Sequence, residues 1–394
     1  MVWLVFLLAL GVMLFVGRKN LWLGFLCGAI LLGLFNLTIS EIGGVFIETL
    51  TDPSILLLGL SVGLISLIGG ALEESGLIRD FVENLRIKRK LFLALGPAFL
   101  GMLPMPGGAL LSAPLVKRAG EDISPEQYVA INVWFRHAFI LIYPLGALLT
   151  TTKMAELHLY TAFIYLIPGF LLMVALGFFF LLKGITGNLS TVENSSYRKI
   201  FIPIIIILAA PITHLLLLNI FPSWIEEVPL VIGVLTSLSL AWKFGDLKGK
   251  DIPILLKKMK SWRFFLIIIG MFLFLRTFIA SDISSIIADI ALSKTFLLVI
   301  IAALLGFVAG RVEMPFAILL PIFYAKFGLE SLTYIEFAIM FFSIFIGYVI
   351  SPIHPCVSVS LEFFNSDLKD FYKRLLAPAL IAIGCVFIIS VSVV

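Results

Sequence analysis

Charge is scarce in this sequence. Asp, Glu, Lys and Arg make up 13% of its 394 residues, about half the share of an ordinary soluble domain. A water-soluble fold of this length has no way to cover the 61% of residues that are hydrophobic. Cysteine is nearly absent as well. Cys27, Cys356 and Cys385 each lie in an apolar stretch without metal-ligand or disulfide spacing, so we read them as packing residues and infer no cofactor. No G-x-x-x-x-G-K-[ST], H-E-x-x-H or G-x-S-x-G occurs. The longest polar gaps, 184–199 and 244–261, are too short for a nucleotide-binding domain, which excludes an ATP-driven pump. An intramembrane enzyme would need a nucleophile–base set or a metal site, and no motif supplies one. The formal charge of +4 is spread along the chain, so nucleic acid is excluded as a partner.

What is present is apolar length. The mean hydropathy is +1.14, and 36 residues are Phe. Lipid is the solvent that accepts such a surface. A helix crosses a bilayer with about 20 apolar residues. On that measure spans fall at 2–17, 21–37, 53–72, 128–150, 158–183, 200–219, 226–243, 262–281, 333–357 and 370–394. Residues 1–17 lack a basic start and a cleavage site, and Arg18-Lys19 follow them, so they read as a span rather than a signal.

Two further apolar segments, 91–118 and 295–327, are interrupted midway, by Pro104-Met105-Pro106-Gly107-Gly108 and by Arg311-Val312-Glu313-Met314-Pro315. Each half is too short to span, which predicts a re-entrant hairpin in each. Amphipathic stretches at 73–88 and 282–294 precede the hairpins and are expected to lie along the membrane surface. With the N-terminus outside and ten spans, most of the 28 Lys and Arg fall inside, and only Lys153, Lys294 and Lys326 fall in outside segments. That bias predicts a multi-pass plasma-membrane protein with both termini outside.

The halves repeat. Residues 53–118 lie over 262–327 without a gap: Glu73 on Asp282, Gly101 on Gly310, Met105-Pro106 on Met314-Pro315. With a two-residue insertion Tyr143-Pro144 lies over His354-Pro355. Five crossings per half is odd, so the second half is predicted to be inverted. The fold class expected is an all-α membrane protein of about ten transmembrane helices plus two re-entrant hairpins in two inverted-topology repeats, the construction of many secondary transporters.

This order, with GMLPMPGGALLSAPLV at 101–116 and ISPIHPC at 350–356, resembles the ion-transporter superfamily: divalent-anion/sodium symporters, gluconate and citrate permeases, and arsenite and sodium/proton antiporter-like carriers. In particular it resembles a ten-span membrane family within that group. The resemblance implies a homodimer and an elevator mechanism. Repeat 1 (1–184) would divide into scaffold 1–90 and transport part 91–184, and repeat 2 (200–394) into scaffold 200–294 and transport part 295–394. The dicarboxylate branch carries Ser-Asn-Thr at each hairpin tip. Here the tips read Pro-Met-Pro-Gly-Gly and Glu-Met-Pro, so substrate and coupling ion, Na+ or H+, stay open.

Several residues are candidates for the chemistry. Pro106, Gly107 and Gly108 make a tip whose free N–H groups suit an anion; the opposite reading is a plain turn. Tyr143-Pro144-Leu145-Gly146 and Ser351-Pro352-Ile353-His354-Pro355 break two spans, freeing carbonyls that could ligate sodium or merely kinking the helix. Glu313, beside Met314 and Pro315, is an acid deep in an apolar segment and could carry the coupling ion or pair with Arg311. Arg136 could hold an anionic solute or snorkel to the inner interface. His137 or His354 could titrate near neutral pH, and His354, which sits in the break, is the stronger candidate for both solute and ion. Asn132, Ser112 and Thr150–Thr152 are candidate polar wall residues. Ion-coupled uptake of a small organic anion competes with cation/proton antiport, and a channel would lack the twin tips.

Overall fold

A computed structural model describes residues 2–85, 87–102, 108–119, 122–187, 196–281, 292–327 and 332–394. Among the described residues every regular element is a helix. Helices α1 (Val2–Gly17), α2 (Leu21–Asn36), α3 (Ile39–Thr51), α4 (Pro53–Glu74) and α5 (Leu77–Asn84) open the chain. Then come α6 (Arg89–Gly101), α7 (Gly108–Lys117), α8 (Pro125–Ile142), α9 (Ala147–Met154) and α10 (Leu159–Phe180). The second half holds α11 (Tyr197–Ile220), α12 (Glu227–Phe244), α13 (Asp251–Met259) and α14 (Ser261–Ala280). A π-helical stretch, Phe296–Ile301, runs into α15 (Ala302–Ala309). It is followed by α16 (Glu313–Phe327), α17 (Tyr334–Val349), α18 (Pro355–Phe364) and α19 (Leu368–Val393).

Six helices are long and apolar enough to cross a membrane: α4, α10, α11, α12, α14 and α19. The pair α8 and α9, bent by 43°, passes the same test as one span. The chain is therefore a multi-pass membrane protein. Of the remaining expected spans, α1 and α2 are apolar helices of 16 residues each. The segment 333–357 divides into α17 and α18, with residues 350–354 between them. Segments 91–118 and 295–327 are each two short helices, α6 with α7 and α15 with α16, packed on each other. The expected first surface helix is α5, which packs against α4 and α11, buries Leu77, Ile78 and Phe81, and stacks Phe81 on Phe99 of α6. The second, over 282–294, falls largely on residues 282–291, outside the described residues.

Helices α3 and α13 occupy stretches that hydropathy passed over as connections. Local chemistry makes α3: Thr38 and Glu41 form a reciprocal capping box. Asp52 starts α4 by accepting from the N–H groups of Ser54 and Ile55, with Pro53 at the first helical position.

Glycines let helices cross backbone to backbone, the usual route to tight packing in lipid. Helices α1 and α2 meet where Gly24 faces the Met13 carbonyl and Gly17. Helices α11 and α12 meet where Gly233 faces the Ala210 carbonyl. Antiparallel α4 and α14 are tied at two points, and the far end of α4 is tied to α13. Asp52 pairs with Arg276 at 2.7 Å, Glu73 and Glu74 pair with Lys258 at 3.3 Å, and Ser66 meets Ser261 at 2.9 Å. At one end of this group Trp22 and Trp262 stand edge to face, 6.3 Å apart.

A second group of helices gathers from both halves. Gly101 of α6 lies on the Arg136 carbonyl of α8, Gly306 of α15 on that of Ile344, and Gly347 of α17 on that of Ala303. Arg374 of α19 reaches Glu126 at the start of α8, 3.0 Å away. Thus α6–α10 pack with α15–α19. Between the two groups lies a cleft of about 890 Å³ with charged walls, among them Asp52, Lys153, Glu156, Glu226 and Arg276.

Candidate functional site

The polar groups of the second helix group converge at one place. Helix α8 carries Asn132 and Arg136 four residues apart, hence on one face, with His137 beside them. All three are buried, Arg136 to 3% exposure. The Arg136 Nη1 donates to the Gly108 carbonyl at the start of α7 (2.9 Å) and to Ser112 Oγ (3.5 Å). Asn132 Nδ2 donates to Ser360 Oγ of α18 (2.9 Å). Among the described residues two groups remain unsatisfied: Arg136 Nε and Asn132 Oδ1 are buried without a hydrogen-bond partner. Among the described residues no carboxylate lies within ion-pair distance of Arg136.

The other wall is the break between α17 and α18. Pro352 and Pro355 supply no backbone N–H, so α17 cannot continue through them. Pro355 instead takes the first position of α18, where that loss costs nothing. Gly310, in the left-handed region at φ +60°, turns the chain between α15 and α16 against this break. A Cβ there would come within 2.8 Å of Ile353 and 3.2 Å of Ser351 Oγ. Ser351 Oγ donates to the Phe307 carbonyl (2.6 Å), tying the break to α15. The His354 ring stacks on Tyr348 (4.1 Å between centroids) and meets His137 edge to face (4.7 Å). His137 and His354 bring ring nitrogens within 4.8 Å of each other and of the Cys356 sulfur.

The expected site residues therefore divide. Arg136, Gly108, Ser351 and His354 lie around one buried cluster, with Asn132, Ser112 and His137. Tyr143 turns away and donates its hydroxyl to the Ile207 carbonyl of α11 (3.2 Å), while Gly146 stands in the loop before α9 with room beside it. Thr150, Thr151 and Thr152 bond back to carbonyls of their own helix. Met314 is buried against Gly17 of α1, and Pro315 is buried in the first turn of α16. Glu313 is half-buried and, among the described residues, makes no ion pair with Arg311 or any other cation. Pro106 and Gly107 lie outside the described residues.

Sequence reasoning missed Tyr348, Ser360 and the placement of Cys356. The available signal was the spacing His354-Pro355-Cys356, which puts two ligand-type side chains at the mouth of a helix.

In fold, the chain is similar to the crystal structure of the Alcanivorax borkumensis YdaH transporter, described there as having an unusual topology. The TM-score is 0.62 at 15% identity, over 93% of this chain and 95% of that one. No curated protein matches the sequence. Residues 2–394 match the family described as "Protein of unknown function (DUF401)", and the chain belongs to that family.

Proposed function

We propose that the protein is a secondary transporter, not an enzyme, that carries a small anionic organic solute across the plasma membrane in exchange for the free energy of a Na+ or H+ gradient. The observation that carries this reading is Arg136. It is a permanent cation held in a buried site with no carboxylate partner among the described residues and with Nε free. A buried unpaired charge is costly, and an anionic solute is the partner that removes the cost. Asn132 Oδ1, also unsatisfied, would accept a hydrogen bond from the same solute.

The proposed architecture is ten spans and two re-entrant hairpins in two inverted repeats, with both termini outside. Its support is the recurrence of the helix order: α3 and α13, α4 and α14, and α8–α10 and α17–α19 recur about 210 residues apart. We assign α1, α2, α4, α11, α12 and α14 to a scaffold that forms a homodimer. We assign α6–α10 and α15–α19 to a part that moves as an elevator along the charged cleft. The likeness in fold to a protein called a transporter supports the same reading.

The experiment is uptake into proteoliposomes from a panel of carboxylates, sugar acids and oxyanions under imposed sodium and pH gradients. Uptake of one anion, driven by one gradient and lost in Arg136→Ala, is the expected result. Glu313 is the proposed coupling group, so Glu313→Gln should abolish gradient dependence; gradient-driven uptake surviving in that variant refutes the assignment. Glu313, half-buried and without an ion pair among the described residues, also supports a second reading, cation/proton antiport. That reading gains if no anion moves and cation flux follows the pH gradient.

A further inference from the structure

Three ligand-type side chains gather at the second break, and the observations that carry the transport reading, at Arg136, Asn132 and Glu313, do not account for their convergence. His137 comes from α8, His354 from the 350–354 break and Cys356 from the first turn of α18, with donor atoms within 4.8 Å of one another. The hydrogen bonds fix the tautomer of each ring. His137 Nδ1 faces the Val133 carbonyl at 2.5 Å, and His354 Nδ1 faces the Tyr348 carbonyl at 3.2 Å. A carbonyl only accepts, so each Nδ1 bears the hydrogen and each Nε2 keeps its lone pair. Anchoring the far nitrogen of an imidazole to a backbone carbonyl is the arrangement that orients metal-binding histidines. It occurs here on both rings. Tyr348 adds a hydroxyl 3.2 Å from His137 Nε2.

We propose that His137, His354 and Cys356 bind a divalent d-block cation of the zinc class, with Tyr348 or water in the fourth position. Two imidazoles and a thiolate are the donor mix that zinc takes in sites with one open position, whereas magnesium and calcium demand oxygen. Bond lengths of about 2.0–2.1 Å to nitrogen and 2.3 Å to sulfur place donors about 3.5 Å apart. Side-chain rotations of about 1 Å would close the set. The Cys356 thiolate would supply the one negative charge of the donor set. The proposal does not rest on the transport reading: a metal site here is compatible with an anion carrier, an antiporter or neither.

The test is cobalt binding to the purified full-length protein in detergent. Co2+ reports its ligands through absorption, and a thiolate ligand gives a sulfur-to-cobalt charge-transfer band. We expect one Co2+ per chain, the thiolate band, and displacement of both by an equimolar amount of Zn2+. Cys356→Ser is nearly isosteric. It should abolish the band and weaken binding about 100-fold or more, at or beyond the loss seen for supporting residues. Tyr348→Phe should keep the band and weaken binding about tenfold. Cys27→Ser and Cys385→Ser should change nothing. Thermal melting of each apo variant shows whether it is folded. A folded wild-type protein that binds no stoichiometric Co2+ overturns the proposal, as does a thiolate band that persists in folded Cys356→Ser.

Discussion

The two broken spans use the same device for different ends. Each has a proline following an aromatic ring, Tyr143-Pro144 and His354-Pro355. At the first break the polar groups are consumed locally. Tyr143 is bonded to α11, the threonines of α9 are bonded to their own helix, and an added Cβ on Gly146 would meet nothing closer than 3.6 Å. At the second break Gly310 presses against Ser351 and Ile353, and the ring of His354 faces His137 and Tyr348. The proline opens the helix in both. Which side chains stand beside the opening decides whether its polar groups are spent on neighbouring helices or gathered into a cluster.

The largest effect separating the two regions should come from glycine. Gly347→Ala places a Cβ 2.0 Å from the Ala303 carbonyl, and Gly306→Ala places one 2.1 Å from the Ile344 carbonyl. The obstacle is backbone, so the helices must part. We expect each to cost about 3 kcal/mol or more, beyond ordinary overpacking, read as a large drop in melting temperature in detergent. Gly146→Ala should cost less than about 1 kcal/mol. Equal losses in Gly146→Ala and Gly347→Ala would mean that the loop of the first break is packed as closely as the crossing of α15 and α17.

This contrast also shows what the sequence could reveal. The interruptions at 104–108 and 311–315 and the proline pairs at 143–144 and 354–355 announced short helices, because proline and glycine act through the local backbone whatever surrounds them. Arg136 and His354 stood out because polar residues are rare in apolar runs. Helices α3 and α13 did not stand out, since amphipathic segments of 13 and 9 residues carry too little hydropathy to separate from connections. Nor could the chain order say that Tyr143 would face α11 while its counterpart His354 would face His137. That depends on helix rotation, which is set by the glycine contacts between α6 and α8 and between α15 and α17. Cys356 looked like a packing residue because its partner His137 is more than 200 positions away.

A smaller effect divides the two tyrosines. Tyr143→Phe removes one hydrogen bond to the Ile207 carbonyl and should lower stability by about 1 kcal/mol, with transport rates unchanged. Tyr348→Phe removes a hydroxyl facing His137 Nε2 and should alter metal affinity more than melting. If Tyr143→Phe impairs uptake at unchanged stability, the first break belongs to the site and the division drawn above fails.

The smallest effect concerns the wet cleft, where charge meets solvent instead of other buried groups. Asp52 is partly buried, which pushes its pKa up, but hydrogen bonds from Arg276, Ile55 and Ser54 more than offset this and hold it below the usual carboxylate value. A carboxyl whose folded pKa lies below its unfolded one, about 3.9, stabilises fully above that pH. The contribution is lost as pH falls through the folded value. Asp52→Asn keeps a cap for α4 and removes the charge. It should cost at most about 1 kcal/mol near neutral pH and make melting less sensitive to acid below about pH 4. Salt should shrink the difference between Asp52→Asn and the parent, because the pair borders water. The same salt should leave the cost of Arg136→Ala unchanged, because Arg136 is buried between helices in this conformation. A salt-dependent Arg136→Ala would show that water reaches Arg136 and solvates its Nε.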